Sequence, residues 1–184
     1  TKKSMEYWAR KQGISLPQVT SFTDGTKLQI EQAFIANGMG TTIAKTGLVG
    51  IRCSNVAEGG SQLAEIAASL NQPISDYLLA DGAQLPAGVF ITAEHDSVQQ
   101  PYLEYLKLGK GPYCTLIRNF HLCHLEIANT IRSICRDEPP ILDNSRHPQI
   151  GVAAVAKRPL LRAELLPRSI GGFDVRGEAV AISE

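Results

Sequence analysis

The chain changes character at a proline break near residue 140. Up to that point, helix-like segments with apolar residues three and four positions apart alternate with short strand-like runs. Pro139 and Pro140 end the last helix-like segment, because a proline disfavours helical geometry in the residue before it. Beyond a polar linker at 143–149, residues 152–156 and 173–182 are strand-like. A β unit of about 35 residues is too small to fold by itself, so we expect it to pack on other sequence.

The apolar spacing predicts a mixed α/β (α+β) fold. Helices are expected over 6–12, 28–37, 61–70, 98–106 and 122–136, and strands over 88–93 and 113–118. Residues 41–57 are rich in glycine and threonine, and we expect them to be irregular. Four apolar residues of the last helix are expected to face inward: Leu125, Ala128, Ile131 and Ile134. The sequence thus predicts an α+β domain over 1–148 and a small β unit over 149–184.

Composition and charge argue against several classes of function. Lys plus Arg and Asp plus Glu number 18 each, so the chain has no net charge and no basic excess typical of nucleic-acid binding. No run approaches the 18 consecutive apolar residues of a transmembrane helix. The cysteines at 53, 114, 123 and 135 form no C-x-x-C pair, which favours reduced, buried thiols in a cytoplasmic protein over disulfides or zinc. We expect neither nucleic acid nor a membrane as a partner.

Two motif-like segments fail as nucleotide sites. Gly38-Met39-Gly40 begins like a dinucleotide fingerprint, but Ile43 stands where the third small residue belongs. This segment also follows a predicted helix, whereas the fingerprint follows a strand and opens a helix. The segment ending in Lys45-Thr46 lacks both glycines of a phosphate-binding loop. We therefore expect no cofactor to bind this chain alone.

His121, His124 and Glu126 are the nearest approach to a metal site. The two histidines are three residues apart and share a helix face, but the zinc pair of metalloproteases is four residues apart with a glutamate between. A structural or substrate-facing imidazole is the favoured interpretation, and no metal is expected.

Asp24, Lys27 and Glu31 form the best candidate for chemistry. On one helix they would fall within about 60° of each other. One interpretation is a solvent-exposed helix face with a Lys–Glu pair worth a few tenths of a kcal/mol. The alternative is a cleft, because Phe22 and Phe34 flank the set, and charges on a buried helix must be paired or face a cleft. In a cleft, Lys27 would protonate or hydrogen-bond a carbonyl oxygen during hydride transfer.

Lys107 and Arg118 are two further cations next to glycine-rich or strand-like segments. Either one can hold the carboxylate or phosphate of an anionic substrate. The pattern fits ordinary surface cations equally well.

Four groups of residues together resemble a known family. They are Ser21–Lys27 with Ile30-Glu31 and Ala36-Asn37, Tyr105–Gly109 with Gly111–Tyr113, Arg118–Glu126, and Val155–Arg158 with Gly171–Phe173. In this order, over nearly the whole chain, they are similar to homoserine-dehydrogenase-like oxidoreductases that end in a SAF (antifreeze-protein-like) domain. That family includes the deoxyxylulose phosphate reductoisomerase-like enzymes of isoprenoid synthesis.

The resemblance implies an order of domains and a set of site residues. A Rossmann domain that binds NAD(P) would precede residue 1, with a substrate domain to residue 148 and a SAF-like unit after it. The substrate would be small and anionic or polar, and a domain face left uncovered would favour a homo-oligomer. The implied catalytic residues are Asp24, Lys27 and Lys107. The implied substrate-binding residues are Glu31, Asn37, Arg118, His121, His124 and Glu126.

Two functions remain in competition on this evidence. The first is the substrate-side portion of an NAD(P)-dependent oxidoreductase, inactive without its Rossmann domain. The second is a non-catalytic binding or assembly module that uses the SAF-like unit. That unit departs from the family in one place, since Ala163 precedes Glu164 where a glycine is usual. If the turn there needs a positive φ, alanine costs about 1 kcal/mol.

Overall fold

The computed structural model describes residues 2–82, 85–119, 123–166 and 170–182. The helices are α1 Lys2–Gln12, α2 Leu16–Thr23, α3 Thr26–Met39, α4 Val56–Leu70, α5 Gln100–Tyr105 and α6 Cys123–Cys135. The strands are β1 Ile51–Cys53, β2 Leu78–Ala80, β3 Val89–Glu94, β4 Tyr113–Arg118, β5 Ile150–Ala156 and β6 Val175–Ala181. Helices and short sheets together confirm the mixed α/β class.

The chain forms two compact units, one from residues 1–49 with 144–184 and the other from residues 50–143. In the first unit β5 and β6 are antiparallel, from the pair Ile150–Ala181 to the pair Ala156–Val175. This hairpin packs on α3, which confirms that the C-terminal β segment rests on other sequence. These compact units are defined by contacts within the chain and differ from the sequence-based division at 148/149. That division into a substrate domain and a C-terminal unit stays a prediction.

A stripe of small and polar residues on α3 covers the outer edge of β6. Its buried members are Thr26, Gln29, Ala33 and Ala36, at helical spacing. The backbone N–H of Gly177 donates to Thr26 Oγ1 at 3.0 Å, and that of Ala179 donates to Gln29 Oε1 at 2.8 Å. These N–H groups are two residues apart and face one edge of the strand. The helix therefore satisfies an edge that β5 cannot reach.

The second unit is built around α4. Strands β1 and β2 are parallel, with Ile51 opposite Leu78, and α4 is the crossover between them. The antiparallel pair β3–β4 packs on the same helix. A Cβ on Gly59 would lie 2.6 Å from Cys53 Sγ, and one on Gly60 would lie 2.3 Å from Thr92 Oγ1. Two adjacent glycines therefore allow both sheets to approach α4 closely.

Several predicted elements need correction at their boundaries. Helix α2 is not among the predicted helices. It forms because Pro17 lies in its first turn, where proline is tolerated, and because Ser15 caps it. Helix α4 begins at Val56, five residues before the predicted start, because Asn55 accepts from Glu58 N as its N-cap. The segment 41–57 also contains β1, so it is only partly irregular.

The prediction of an inward apolar face on α6 was wrong. Leu125, Ile131 and Ile134 are 65%, 54% and 70% exposed, and Ala128 is exposed as well. Helical spacing identifies an apolar face but does not supply a surface to cover it.

The cysteines follow the prediction in part. Cys53 and Cys114 are free and buried, whereas Cys135 is free and exposed. None of the described helices has the length and apolar character needed to cross a membrane.

Candidate functional site

Asp24 lies between two helices and not on the helix that carries Lys27. It is the C-cap of α2, whereas α3 begins at Thr26. The prediction that Asp24, Lys27 and Glu31 share one helix was therefore wrong for Asp24. Gly25 causes the break, since its φ of +84° is a left-handed conformation that glycine adopts readily. Asp24 also caps the helix, because its Oδ1 accepts from Thr26 N at 2.9 Å.

The partner of Asp24 is Lys157, one residue beyond β5. Its ammonium group donates to Asp24 Oδ2 and to the carbonyl oxygen of Gly172. The two side chains are only 11% (Asp24) and 21% (Lys157) exposed. Burial by itself raises the pKa of Asp24, but hydrogen bonds from Lys157 and Thr26 outweigh it, so the pKa lies below its ordinary value. The carboxylate is thus held ionised and fully engaged.

Gly171 and Gly172 bring the acceptor for Lys157 into place. Their φ angles are +103° and +104°, which strain any residue with a side chain. A Cβ on Gly171 would lie 2.6 Å from the Cβ of Ser21, so the loop packs against α2 because it has no side chain there. The adjacent glycines were a sequence signal for this close approach, but they point to no particular partner.

Lys27 and Glu31 lie on the exposed side of α3. Lys27 Nζ is 3.5 Å from Glu31 Oε1, and the side chains are 52% and 49% exposed. The amine also lies 4.9 Å from the ring centroid of Phe22, which is itself 43% exposed. Phe34 is exposed too, so the flanking aromatic residues do not enclose the pair. Within the first unit the pair matches the solvent-exposed interpretation, and Lys27 is open to an incoming molecule.

Asn37 is occupied by hydrogen bonds to the backbone. Its Oδ1 accepts from Gln149 N and Ile150 N, both at 2.9 Å. Its Nδ2 donates to Ile150 O at 2.8 Å and to Asn144 Oδ1 at 3.0 Å. These bonds tie α3 to the start of β5. A substrate-binding role for Asn37 stays a prediction, and its geometry provides a structural role.

Arg158 forms the centre of a network of ion pairs on the surface of the C-terminal segment. It contacts Glu164 through two hydrogen bonds and Asp174 Oδ1 at 2.7 Å. Hydrogen bonds from Arg158 and from the N–H of Leu161 lower the pKa of Glu164 to about 2. Ala163 has a φ of +63°, so the turn has the strained geometry anticipated from the missing glycine.

The other predicted site residues belong to the second unit. Lys107 is exposed, with a φ of +59°, just after α5. Arg118, the last residue of β4, pairs with Glu126 of α6 at 3.1 Å, and their side chains are 69% and 56% exposed. His121 and the side chain of His124 lie outside the described residues. Among the side chains that the structure describes, no group of three or more His, Cys, Asp or Glu could hold a metal ion.

The sequence matches one family model, described as the catalytic domain of oxidoreductase DRL, over residues 1–127. The chain belongs to this family. No curated protein matches it. The DRL catalytic-domain match includes Asp24, Lys27, Lys107 and Arg118 but ends before Lys157. The partner of the buried carboxylate therefore comes from outside the matched region.

Proposed function

We propose that this chain is the substrate-side portion of an NAD(P)-dependent oxidoreductase that reduces or oxidises a small polar hydroxy or carbonyl compound. The match to the DRL oxidoreductase catalytic domain carries the proposal. The arrangement at the start of α3 supports it, because a buried, ionised Asp24 fixes the turn on which Lys27 presents an accessible amine.

Lys27 is the proposed proton donor. During reduction, its ammonium group gives a proton to the carbonyl oxygen of the substrate as that oxygen becomes a hydroxyl; in oxidation the amine takes the proton back. The carboxylate of Glu31 lies 3.5 Å from this ammonium group and forms an ion pair with it on the same helix face. Asp24 is not assigned to proton transfer, because both of its carboxylate oxygens already accept hydrogen bonds, one from Thr26 N and one from Lys157. We assign it to holding the turn.

We propose that the hydride comes from a nicotinamide held outside this chain. Gly38-Met39-Gly40 ends α3, and Gly40 is its C-cap with a φ of +66°, so this segment opens no helix toward a pyrophosphate. We propose a Rossmann domain preceding residue 1 as the source. On this proposal the 184-residue chain by itself binds NADPH negligibly and is inactive.

Cations and hydrogen-bonding groups of the second unit are proposed to bind the substrate. Lys107 and Arg118 are suited to a carboxylate or phosphate, because an arginine fork or an ammonium group pairs readily with either. His121, His124 and Glu126 are proposed for the polar groups of the substrate. The finer assignments, namely homoserine-dehydrogenase-like or reductoisomerase-like chemistry, a SAF-like C-terminal unit and a cytoplasmic location, are part of the same proposal.

Titration of the isotopically labelled 184-residue chain with two probes, L-homoserine and 1-deoxyxylulose 5-phosphate, tests the proposal. We expect one of them to shift the backbone resonances of Thr26 and Lys27, and Lys27→Met to weaken its binding about tenfold or more, the scale of a lost charged contact. Lys45→Met removes an exposed lysine of the same unit and is the control. Shifts that avoid α3 with both probes would reject Lys27 as a substrate contact.

Calorimetry with NADPH tests the other half of the proposal. We expect no measurable binding to this chain. Micromolar affinity would show that the dinucleotide site lies here and would remove the need for an upstream domain.

A further inference from the structure

Lys157 connects the C-terminal hairpin to the start of α3. It follows β5 and lies outside the region that matches the DRL catalytic domain. Two acceptors, the carboxylate of Asp24 and the carbonyl oxygen of Gly172, receive its N–H groups. Since only 21% of the side chain is exposed, both contacts are sheltered from competing water.

Asp24 links Lys157 to the first turn of α3 through its two carboxylate oxygens. One carboxylate oxygen contacts Lys157, and the other accepts from the N–H of Thr26, the first residue of α3. Gly25, the N-cap residue, offers no side chain for this purpose. The carboxylate therefore supplies an acceptor that the first turn would otherwise lack, and Lys27 is the next residue of that turn.

Thr26 is fixed from its other side by the same hairpin. Its hydroxyl oxygen accepts from Gly177 N at 3.0 Å, and the residue is 1% exposed. The first turn of α3 is thus attached to both strands of the hairpin, through β6 directly and through Lys157 and Asp24.

We propose that Lys157 is a positioning residue of the candidate site, which orients the Asp24 carboxylate and thereby fixes the turn that presents the amine of Lys27. The importance of Lys27 rests on the proposed function, whereas the contacts among Lys157, Asp24 and Thr26 do not. A neutral residue at 157 would leave a buried carboxylate without its cation, which favours protonation or reorientation of that side chain.

Two substitutions in the 184-residue chain separate this role from general stabilisation. Lys157→Met removes the charge and the donors while keeping an unbranched side chain, and Lys157→Arg restores both. Arg176→Met is the matched control, because Arg176 is a cation of the same hairpin that pairs with Glu178 and not with α3. Amide hydrogen exchange of Thr26 and the carboxyl titration of Asp24, both by nuclear magnetic resonance, are the measurements.

In Lys157→Met we expect exchange of the Thr26 amide to accelerate about tenfold and the Asp24 titration to move to higher pH. Exchange at Ala33 and Ala36, deeper in the same helix, should change less than about twofold. Lys157→Arg and Arg176→Met should resemble the parent chain in both measurements. An unchanged Thr26 and Asp24 in Lys157→Met would overturn the proposal. Equal acceleration along all of α3 that Lys157→Arg does not reverse would also overturn it, since it indicates general destabilisation.

These readouts need no substrate, so they stand even if neither L-homoserine nor 1-deoxyxylulose 5-phosphate binds. If one of the two probes does bind, Lys157→Met should weaken its binding about tenfold and Lys157→Arg should restore the affinity. Equal affinity of the probe for Lys157→Met and Lys157→Arg would overturn the proposal that Lys157 positions the substrate site.

Discussion

Asp24 forms an ion pair with Lys157, 133 residues further along the chain, whereas Lys27 pairs with Glu31 on its own helix. The first pair is mostly buried, and the second is about half exposed on both sides. Two ion pairs at the start of one helix therefore differ in their exposure to water. Because water screens charges, the two pairs should respond differently to substitution.

Asp24→Asn is expected to lower the free energy of unfolding by about 1–3 kcal/mol, because it leaves the Lys157 ammonium group sheltered without its counter-charge. The matched control, Glu31→Gln, removes the exposed carboxylate and should cost less than about 0.5 kcal/mol. Urea unfolding followed by the fluorescence of Trp8, the single tryptophan, reports on the unit that contains both pairs. Equal losses in the two variants would contradict the difference in burial.

Acid should weaken the parent chain more than it weakens Asp24→Asn. The pKa of Asp24 is lower in the folded chain than its ordinary value, so its contribution is fully present above about pH 4 and is lost as the pH falls through the folded value. Asparagine has no proton to gain in that range. Trp8 fluorescence in urea at pH 6 and at pH 3 measures the two losses. A loss as large in Asp24→Asn as in the parent chain would assign the acid sensitivity to other carboxyl groups.

Lys27→Ala should lower turnover at least about a hundredfold, the usual scale for loss of a general acid. Steady-state kinetics of a longer form that includes the dinucleotide-binding domain measures the effect. Lys45→Ala, at an exposed lysine of the same unit, should leave turnover unchanged. A Lys27→Ala enzyme that keeps most of its activity would remove this lysine from the mechanism.

Ala163→Gly should stabilise the first unit by about 0.5–1 kcal/mol. Ala163 has a φ of +63°, and the relief of this strain exceeds the entropy that glycine adds to the unfolded chain. Ala154→Gly, at an exposed position in β5, should destabilise the unit instead, because glycine is a poor strand residue. Urea unfolding measures both variants. If Ala163→Gly lowered the free energy of unfolding as Ala154→Gly does, the turn at Ala163 would not be strained.

Gly60→Ala should destabilise the second unit by about 1–3 kcal/mol, although alanine is the better helix former. The new Cβ would lie 2.3 Å from Thr92 Oγ1 and 2.9 Å from Thr115 Oγ1. Thr92→Ala removes the nearer oxygen and should restore part of the loss when the two changes are combined. Amide hydrogen exchange in α4 measures the stability of this unit. Simple addition of the two single losses would indicate that no steric conflict exists.

Local pattern was enough to predict several elements from the sequence. The strand at Tyr113–Arg118 and the turns of α1 that end before Gly13 lie where the apolar spacing and the glycine place them. Helix α3 was predicted as well, but its buried side was not. The apolar residues of α3 include the buried Ala33 and Ala36 but also the exposed Phe34 and Ile35. Thr26 and Gln29 are buried because they bind the backbone edge of β6. A hydrophobicity pattern contains no information about such hydrogen bonds.

The sequence predicted a set of candidate site residues, but it did not predict how the side chains of Asp24 and Lys27 are arranged. Spacing alone placed Asp24 beside Lys27, because a helix was assumed to run through Gly25. Gly25 has a left-handed conformation, so the helix does not continue through it. The carboxylate of Asp24 binds Lys157 instead, and a contact between residues so far apart in sequence cannot be predicted from local spacing. Lys107 and Arg118 lie in the second unit, and their participation in the same cleft stays a prediction.

The order in which the two units can form during synthesis follows from the way the chain is nested. Every residue of the unit at 50–143 emerges from the ribosome before β6 is made. Thr26, by contrast, meets a partner 151 residues downstream. At cellular rates of elongation, that interval is of the order of ten seconds. During it the nascent α3 has no β6 edge to bind, so the unit at 50–143 has time to fold before the unit of residues 1–49 and 144–184 is complete.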